Sequence, residues 1–267
     1  MSDKLVSIIM GVYNCENCIQ RCVDSILAQT YTNWELIICD DCSTDNSLEI
    51  CRELAKKDER IIVIKNEKNS KLAYSLNHCL KYAKGEYIAR MDDDDISYPN
   101  RLQTEVDFLD THPEYDVVGS ATEVSDGEKT VSIRVSRKEI PTKEDLYFGP
   151  CHMHPTIMVR KAAYDKLNGY TVCKRTNRGQ DWDLWFRFYA MGMKGYNLKT
   201  PLLQYHESPD DFKKRSLKTA IMYTKTALFG YKLLKYPFYK YVYAFKPIIS
   251  AIIPKEIMNA YHRKGQK

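Results

Sequence analysis

The sequence predicts an α/β protein: a mostly parallel sheet with helices on both faces. Three observations carry this. Near-continuous apolar runs, the pattern of strands buried on both faces, recur through the first hundred residues. Between them lie segments with apolar residues at helical spacing. Polar clusters then stand at the ends of the runs, where open α/β sheets bind ligands.

Leu5 to Val12 is the first such run, followed by Ile19, Cys22, Val23, Ile26 and Leu27 at helical spacing. Trp34 to Cys39 predicts a second strand, Asp45 to Lys57 a helix with Leu48, Cys51, Leu54 and Ala55 inward, and Ile61 to Ile64 a third strand. Leu72, Leu76, Cys79, Leu80 and Ala83 mark another helix, stopped by Gly85, and Glu86 to Met91 a fourth strand. Past Pro99 the regularity weakens. A helix with Leu102, Val106 and Leu109 leads into a strand at Asp116 to Ser120, a turn at Asp126-Gly127 and a strand at Val131 to Val135. His152-Met153-His154-Pro155 reads as a loop entering a strand at Thr156 to Val159, and Trp182, Trp185, Phe186 and Tyr189 define a helix beginning at Asp181. This second half is expected to complete the sheet and supply the other wall of a cleft. There is no internal repeat or low-complexity segment.

Charge divides the chain. From Phe212 to Lys267 there are 13 Lys/Arg against the single acid Glu256, so residues 1–211 are acidic although the whole chain is +5. The tail also holds 11 of the 28 Phe and Tyr, with lysines interrupting every apolar stretch, so no run of about 20 apolar residues could span a membrane. Aromatic and basic residues together suit the interface of an anionic membrane; a helical extension packed on the domain with a solvated basic face is the other reading. Nucleic acid is not an expected partner, because no binding module accompanies the charge. Met1 to Leu5 leads into a strand rather than a signal peptide, which predicts a cytoplasmic location, at the inner face of the membrane if the tail binds it. Nine cysteines are then expected as reduced thiols. Cys15-x2-Cys18 and Cys39-x2-Cys42 lie at the edge of a zinc pattern, but a full helix and a buried strand intervene, unlike a zinc ribbon.

The most informative residues are Asp92, Asp93, Asp94 and Asp95, directly after the fourth strand. Adjacent carboxylates repel, and a divalent cation with a phosphorylated ligand neutralises them. Tyr13-Asn14 after the first strand and Asp40-Asp41 after the second fall in register with this run. No phosphate-binding glycine loop exists, which excludes a P-loop enzyme and a dinucleotide oxidoreductase. A nucleoside diphosphate would be held through a metal on the aspartates, with Tyr13 stacking on a base and Asp40 accepting from its ring N–H. His152 and His154 suggest a metal pair, though such a loop is more often structural; Asp40 and Asp45 also fit as turn and cap residues. Trp182 and Trp185 read as core.

These motifs resemble family 2 glycosyltransferases, the inverting sugar-nucleotide enzymes of the GT-A fold that build bacterial surface polysaccharides. The resemblance runs through Ser7 to Asn14, Asp40 to Asp45, Ala89 to Leu102, His154-Pro155-Thr156 and Gln180 to Trp185, and covers roughly residues 4–206. It implies a GT-A domain over 1–211, with a nucleotide-sugar half at 1–102 and an acceptor half at 103–211, followed by the basic, aromatic helical tail at 212–267. It further implies Tyr13, Asp40, Asp41, Asp92 and Asp93 around the nucleotide, with Asp92 near the ribose. Asp94 and His206 would meet the Mn2+ or Mg2+ that bridges the two phosphates, and Asp181 would be the general base. The activity implied is metal-dependent, inverting transfer from a nucleoside diphosphate-sugar, a UDP-sugar in this reading, to a hydroxyl of a saccharide acceptor. A lipid-linked acceptor follows from the tail. Asp181 at a helix N-terminus is expected to be kept ionised by the helix dipole. Gly11 stands where the family commonly has proline, an expected change in loop stiffness, and Gln180 replaces the usual acid before Asp181, which bears on acceptor handling. Two other activities share features with this chain. Asp92-x-Asp94 is also similar to haloacid-dehalogenase phosphohydrolases, though those place it on the first strand, and a non-catalytic nucleotide-sugar-binding module would tolerate Gln180.

Overall fold

The computed structural model describes residues 3–125, 129–207 and 216–252; the expected turn at Asp126-Gly127 lies outside them. The first half alternates as expected: β1 (Val6–Val12), α1 (Ile19–Leu27), β2 (Trp34–Asp40), α2 (Ser47–Lys57), β3 (Ile61–Lys65), α3 (Leu72–Leu80) and β4 (Tyr87–Arg90). A two-residue β5 (Ile96–Ser97) and α4 (Arg101–Thr111) follow, then β6 (Val117–Ser125), β7 (Thr130–Arg134), β8 (Met158–Arg160), α5 (Lys161–Leu167), α6 (Gln180–Ala190) and β9 (Gly195–His206). The tail forms α7 (Leu217–Leu233), a 3-10 segment at Phe238–Phe245 and α8 (Lys246–Ile252).

The sheet runs in the order β3-β2-β1-β4-β8-β6-β9-β5, with β7 paired to β6. The α/β class and its flanking helices are those expected, but the parallel character is concentrated in the first half. There β1, β2, β3 and β4 are parallel, whereas β8 is antiparallel to both β4 and β6, and β6 returns to a parallel pairing with β9. Side-chain alternation along β1 sets the core into two layers. Ile8 and Met10 join the cluster beneath α1, α2 and α4, while Ile9 joins the cluster beneath α3, α5 and α6.

Several local expectations change for physical reasons. Gly85 does not stop α3, which ends at Leu80; a Cβ there would lie 2.6 Å from the Leu5 carbonyl oxygen and the Ser7 nitrogen, so the glycine permits the close approach of β1. Gly11 is inside β1, not in a loop: an added Cβ would sit 2.9 Å from Leu72 and 3.3 Å from Ser75 of α3. β6 extends five residues past Ser120, and its polar members Ser120, Thr122 and Ser125 are buried against neighbouring strands. β9 carries no legible strand pattern, because Lys199, Thr200 and Pro201 interrupt it; Pro201 falls at a register shift against β6, where a missing N–H is tolerated.

Across α7 the tail is a packed extension. Gly230 lies against the ring of Phe186, the Tyr231 hydroxyl donates to the Tyr147 carbonyl at 2.7 Å, and Thr226 donates to the Arg175 carbonyl at 3.2 Å. Beyond it Phe238 is 88% exposed, with Tyr239, Val242, Ile249 and Ile252 also facing out. No helix among the described residues is long and apolar enough to cross a membrane.

Candidate active site

The carboxyl ends of β1, β2 and β4 meet because the register makes them adjacent. Val12 pairs with Asp40, and Ile9 with Arg90. From the end of β1, the Asp41 N–H donates to the Val12 carbonyl at 2.8 Å and the Tyr13 N–H to the Asp93 carboxylate at 3.3 Å. The three polar clusters read from the sequence therefore lie on one edge.

Their individual placements differ. Tyr13 is 48% exposed at the mouth of the cleft, its ring free to receive a flat ligand. Asp40 is fully buried, and its carboxylate accepts the N–H groups of Cys42 and Ser43 at 3.1 to 3.3 Å, the turn geometry that the sequence also allowed. Asp41 accepts the N–H groups of Ser70 and Lys71 and the side-chain amide of Asn66 at 2.7 to 2.8 Å, fastening the loop before α3. In this arrangement both acids shape the walls of the cleft.

The aspartate run is a tight turn whose carbonyls are gripped by thiols. Cys15 donates to the Asp93 carbonyl at 3.3 Å and Cys22 of α1 to that of Asp92 at 3.2 Å. Cys39 instead contacts Asn66 and His78, so the cysteines of the two C-x2-C pairs serve separate networks. Asp95 is buried and accepts the backbone N–H of His206 at 2.9 Å, which ties β4 to the end of β9. Burial, with Asp92 and Asp94 nearby, pushes the Asp95 carboxyl well above the usual carboxylate range. Burial and the same repulsion raise Asp93 to about 7. Asp94 is raised by burial and by Asp92, and is drawn back by His206.

Asp94 and His206 line one small crevice with Arg21, Ser125 and Gln204. The His206 Nδ1 is buried without a hydrogen-bond partner among the described residues, an orphaned nitrogen suited to ligate a cation. No group of three His, Cys, Asp or Glu able to hold a metal occurs among the described residues. A two-residue site still suits Mg2+ or Mn2+, which is commonly held by one or two side chains together with substrate phosphates and water. Asp94 and His206 fit such an ion.

Arg90 is the functional candidate that the sequence reading missed. It is the last residue of β4, 3% exposed, and its guanidinium grips both carboxylate oxygens of Asp92. The signal was present: a charged residue ending a strand buried on both faces needs a fixed partner. The positive charge of Arg90 also acts on Asp181. Burial raises the Asp181 carboxyl above its ordinary range, while the Trp182 N–H and the positive charge of Arg90 oppose the rise. The first backbone N–H groups of α6 favour the ionised carboxylate, as expected of a helix N-terminus, while desolvation works against it. Tyr170 and Tyr223 are both raised by burial, with the charge of Asp181 adding to each. Tyr223 comes from α7 and lies over Gly179, so the tail walls the site beside Asp181.

His152 and His154 are structural. His152 bridges Asn197 and Tyr189 at 2.7 and 2.9 Å, and burial lowers its pKa to about 4; His154 bonds the Tyr170 hydroxyl at 2.9 Å. Trp182 and Trp185 are buried in the core. The phosphohydrolase assignment for Asp92 meets an obstacle, because a carboxylate chelated by arginine is a poor nucleophile.

The sequence profile of the family described as Glycosyl transferase family 2 matches residues 7–168. A Bacillus subtilis protein described as a glycosyltransferase, EpsE, is 44% identical over 98% of this chain and 95% of its own length. An Escherichia coli protein described as UDP-Glc:alpha-D-GlcNAc-diphosphoundecaprenol beta-1,3-glucosyltransferase, WfaP, is 45% identical over 40% of this chain and 42% of its own length. Among solved structures, Staphylococcus aureus TarS 1-349 in complex with UDP superposes with a TM-score of 0.64 at 21% identity, covering 86% of this chain and 69% of that one. That similarity is one of fold.

Proposed function

This chain belongs to glycosyl transferase family 2, and we propose that it transfers a sugar from a UDP-sugar to a hydroxyl of a lipid-linked saccharide in surface polysaccharide synthesis. The observation that carries the proposal is the run of carboxylates at the strand ends, with Asp92 gripped by Arg90 and Asp94 lining one crevice with His206, while the charges of Arg90 and Asp92 act on Asp181. The TarS structure with UDP and the WfaP substrate name support the donor; the WfaP name supports the acceptor class.

In this mechanism Tyr13 stacks on the base, the buried Asp40 and Asp41 keep the loops around it in shape, and Asp92, oriented by Arg90, meets the ribose. Asp93 holds the Tyr13 backbone. A divalent cation between Asp94, His206 and the diphosphate would supply charge neutralisation to the leaving group. Asp181 removes the proton of the acceptor hydroxyl as that oxygen attacks the anomeric carbon from the face opposite the diphosphate, inverting the centre. Tyr170 and Tyr223 exclude water around that carboxylate. Peripheral attachment to the inner face of the membrane, through the exposed tail residues, would bring the enzyme to such an acceptor.

Release of UDP from a panel of UDP-sugars, with Mn2+ and a lipid-linked acceptor, tests the proposal. Asp181→Asn should bind UDP as the native protein does yet lose acceptor-dependent release; an Asp181→Asn protein with native turnover defeats it.

A further inference from the structure

A second cavity, of about 470 Å3, opens between the end of β7 and the segment 148–153, and shares no lining residue with the Asp94–His206 crevice. Its lining includes Arg134, Arg137 and Lys138 against one carboxylate, Asp145, and His152 adds no charge because burial lowers its pKa to about 4. Two of the cations have carboxylate partners: Lys138 pairs with Asp145 at 2.9 Å and Arg134 with Glu207 at 3.3 Å. Arg137 lies 5.3 Å over the Phe148 ring and makes no ion pair among the described residues. An exposed guanidinium that offers a face to an aromatic ring keeps its N–H edge available for an oxyanion.

The position of this cavity is informative. Thr122 of β6 pairs with Arg134 on one side and Leu203 on the other, and three residues further along Ser125 pairs with His206. Arg134, at the rim of the cavity, therefore lies about 10 Å along the strand from the Asp94–His206 crevice. Its other wall continues into the tail: Phe148 packs on Tyr243 with ring centroids 5.5 Å apart, and Lys240 sits 4.0 Å over the Tyr147 ring. From there the outward face of Phe238, Tyr239, Val242, Ile249 and Ile252 begins. A cationic hollow thus adjoins an exposed apolar surface studded with lysines.

We infer that this cavity binds the diphosphate of a lipid-linked acceptor, with Arg137 as its principal contact and the lipid chain running out along the 238–252 face to the bilayer. The inference rests on the proposed lipid-linked acceptor. It explains why the charge and the apolar surface adjoin: the ligand carries both.

The test measures binding of two soluble probes to the full chain with UDP and Mn2+ present: decyl-diphosphate-linked N-acetylglucosamine, and the decyl glycoside of the same sugar. The native protein should prefer the diphosphate probe by about tenfold. Arg137→Glu, and the milder Arg137→Gln, should remove that preference while leaving UDP binding and the weaker glycoside binding unchanged. Native protein that binds both probes equally contradicts the lipid-diphosphate reading itself. Native preference that survives in both variants leaves that reading intact and overturns this cavity as its site. Loss of binding to phosphatidylglycerol vesicles in the variants, with probe preference retained, also overturns it and assigns Arg137 to lipid headgroups.

Discussion

Arg90 and Asp92, two residues apart at the end of β4, form a bidentate ion pair whose cation is almost wholly buried and whose anion reaches the cleft. The pair holds the Asp92 carboxylate in one orientation, and the positive charge of Arg90 also acts on Asp181. One buried cation thereby acts on two carboxylates.

Removing that cation should be costly. Arg90→Met leaves Asp92 without its partner, and a loss of about 3 kcal/mol is expected, the lower end for a broken buried pair because Asp92 keeps some contact with water. Urea unfolding measures it. A loss under about 0.5 kcal/mol would show that the pair is not structural.

The acid limb of the pH–rate profile should report Asp181. A general base acts ionised, and burial raises its folded-state pKa, so activity is present above that pKa and lost as pH falls through it. The limb is expected above the ordinary Asp value of about 3.9. Arg90→Met should move it further upward, since the opposing charge is gone. Asp181→Asn should reduce kcat by about 100-fold or more with UDP affinity retained. An acid limb at the ordinary value in the native protein argues against Asp181 as the base.

Mn2+ should raise the thermal midpoint chiefly when UDP is present, because Asp94 and His206 offer only part of a coordination shell. At ligand concentrations about 100 times Kd the stabilisation is about 2.7 kcal/mol. Asp94→Asn and His206→Ala should each abolish the Mn2+ increment and leave the midpoint without metal nearly unchanged. Equal Mn2+ increments in all three proteins would remove the ion from this crevice.

Gly230→Ala tests the docking of α7. Alanine normally favours a helix, but a Cβ here would lie 2.1 Å from Phe186 Cδ2, inside a buried ring. Overpacking should cost about 3 kcal/mol, and activity should fall with it as Tyr223 leaves the side of Asp181. An alanine variant as stable as the native protein would mean that α7 is held elsewhere. For the same reason, truncation at Phe212 is a poor probe of membrane contact: it uncovers Phe186, whereas substitutions at Phe238 and Tyr239 touch only exposed residues.

The α/β class, the first four strands and the edge on which the polar clusters meet were legible in the sequence, because a strand buried on both faces leaves an unbroken apolar run and parallel order fixes which ends coincide. The residues that shape the cleft from a distance were not. Cys15 and Cys22 hold the aspartate turn by donating to its backbone, an act invisible to any spacing rule. β9 pairs over register shifts that no alternation encodes. Tyr223 reaches Asp181 only because α7 folds back across more than forty residues of chain. Periodicity records which face of an element is buried; which element covers that face, and which charge then sits beside which, is settled by packing alone.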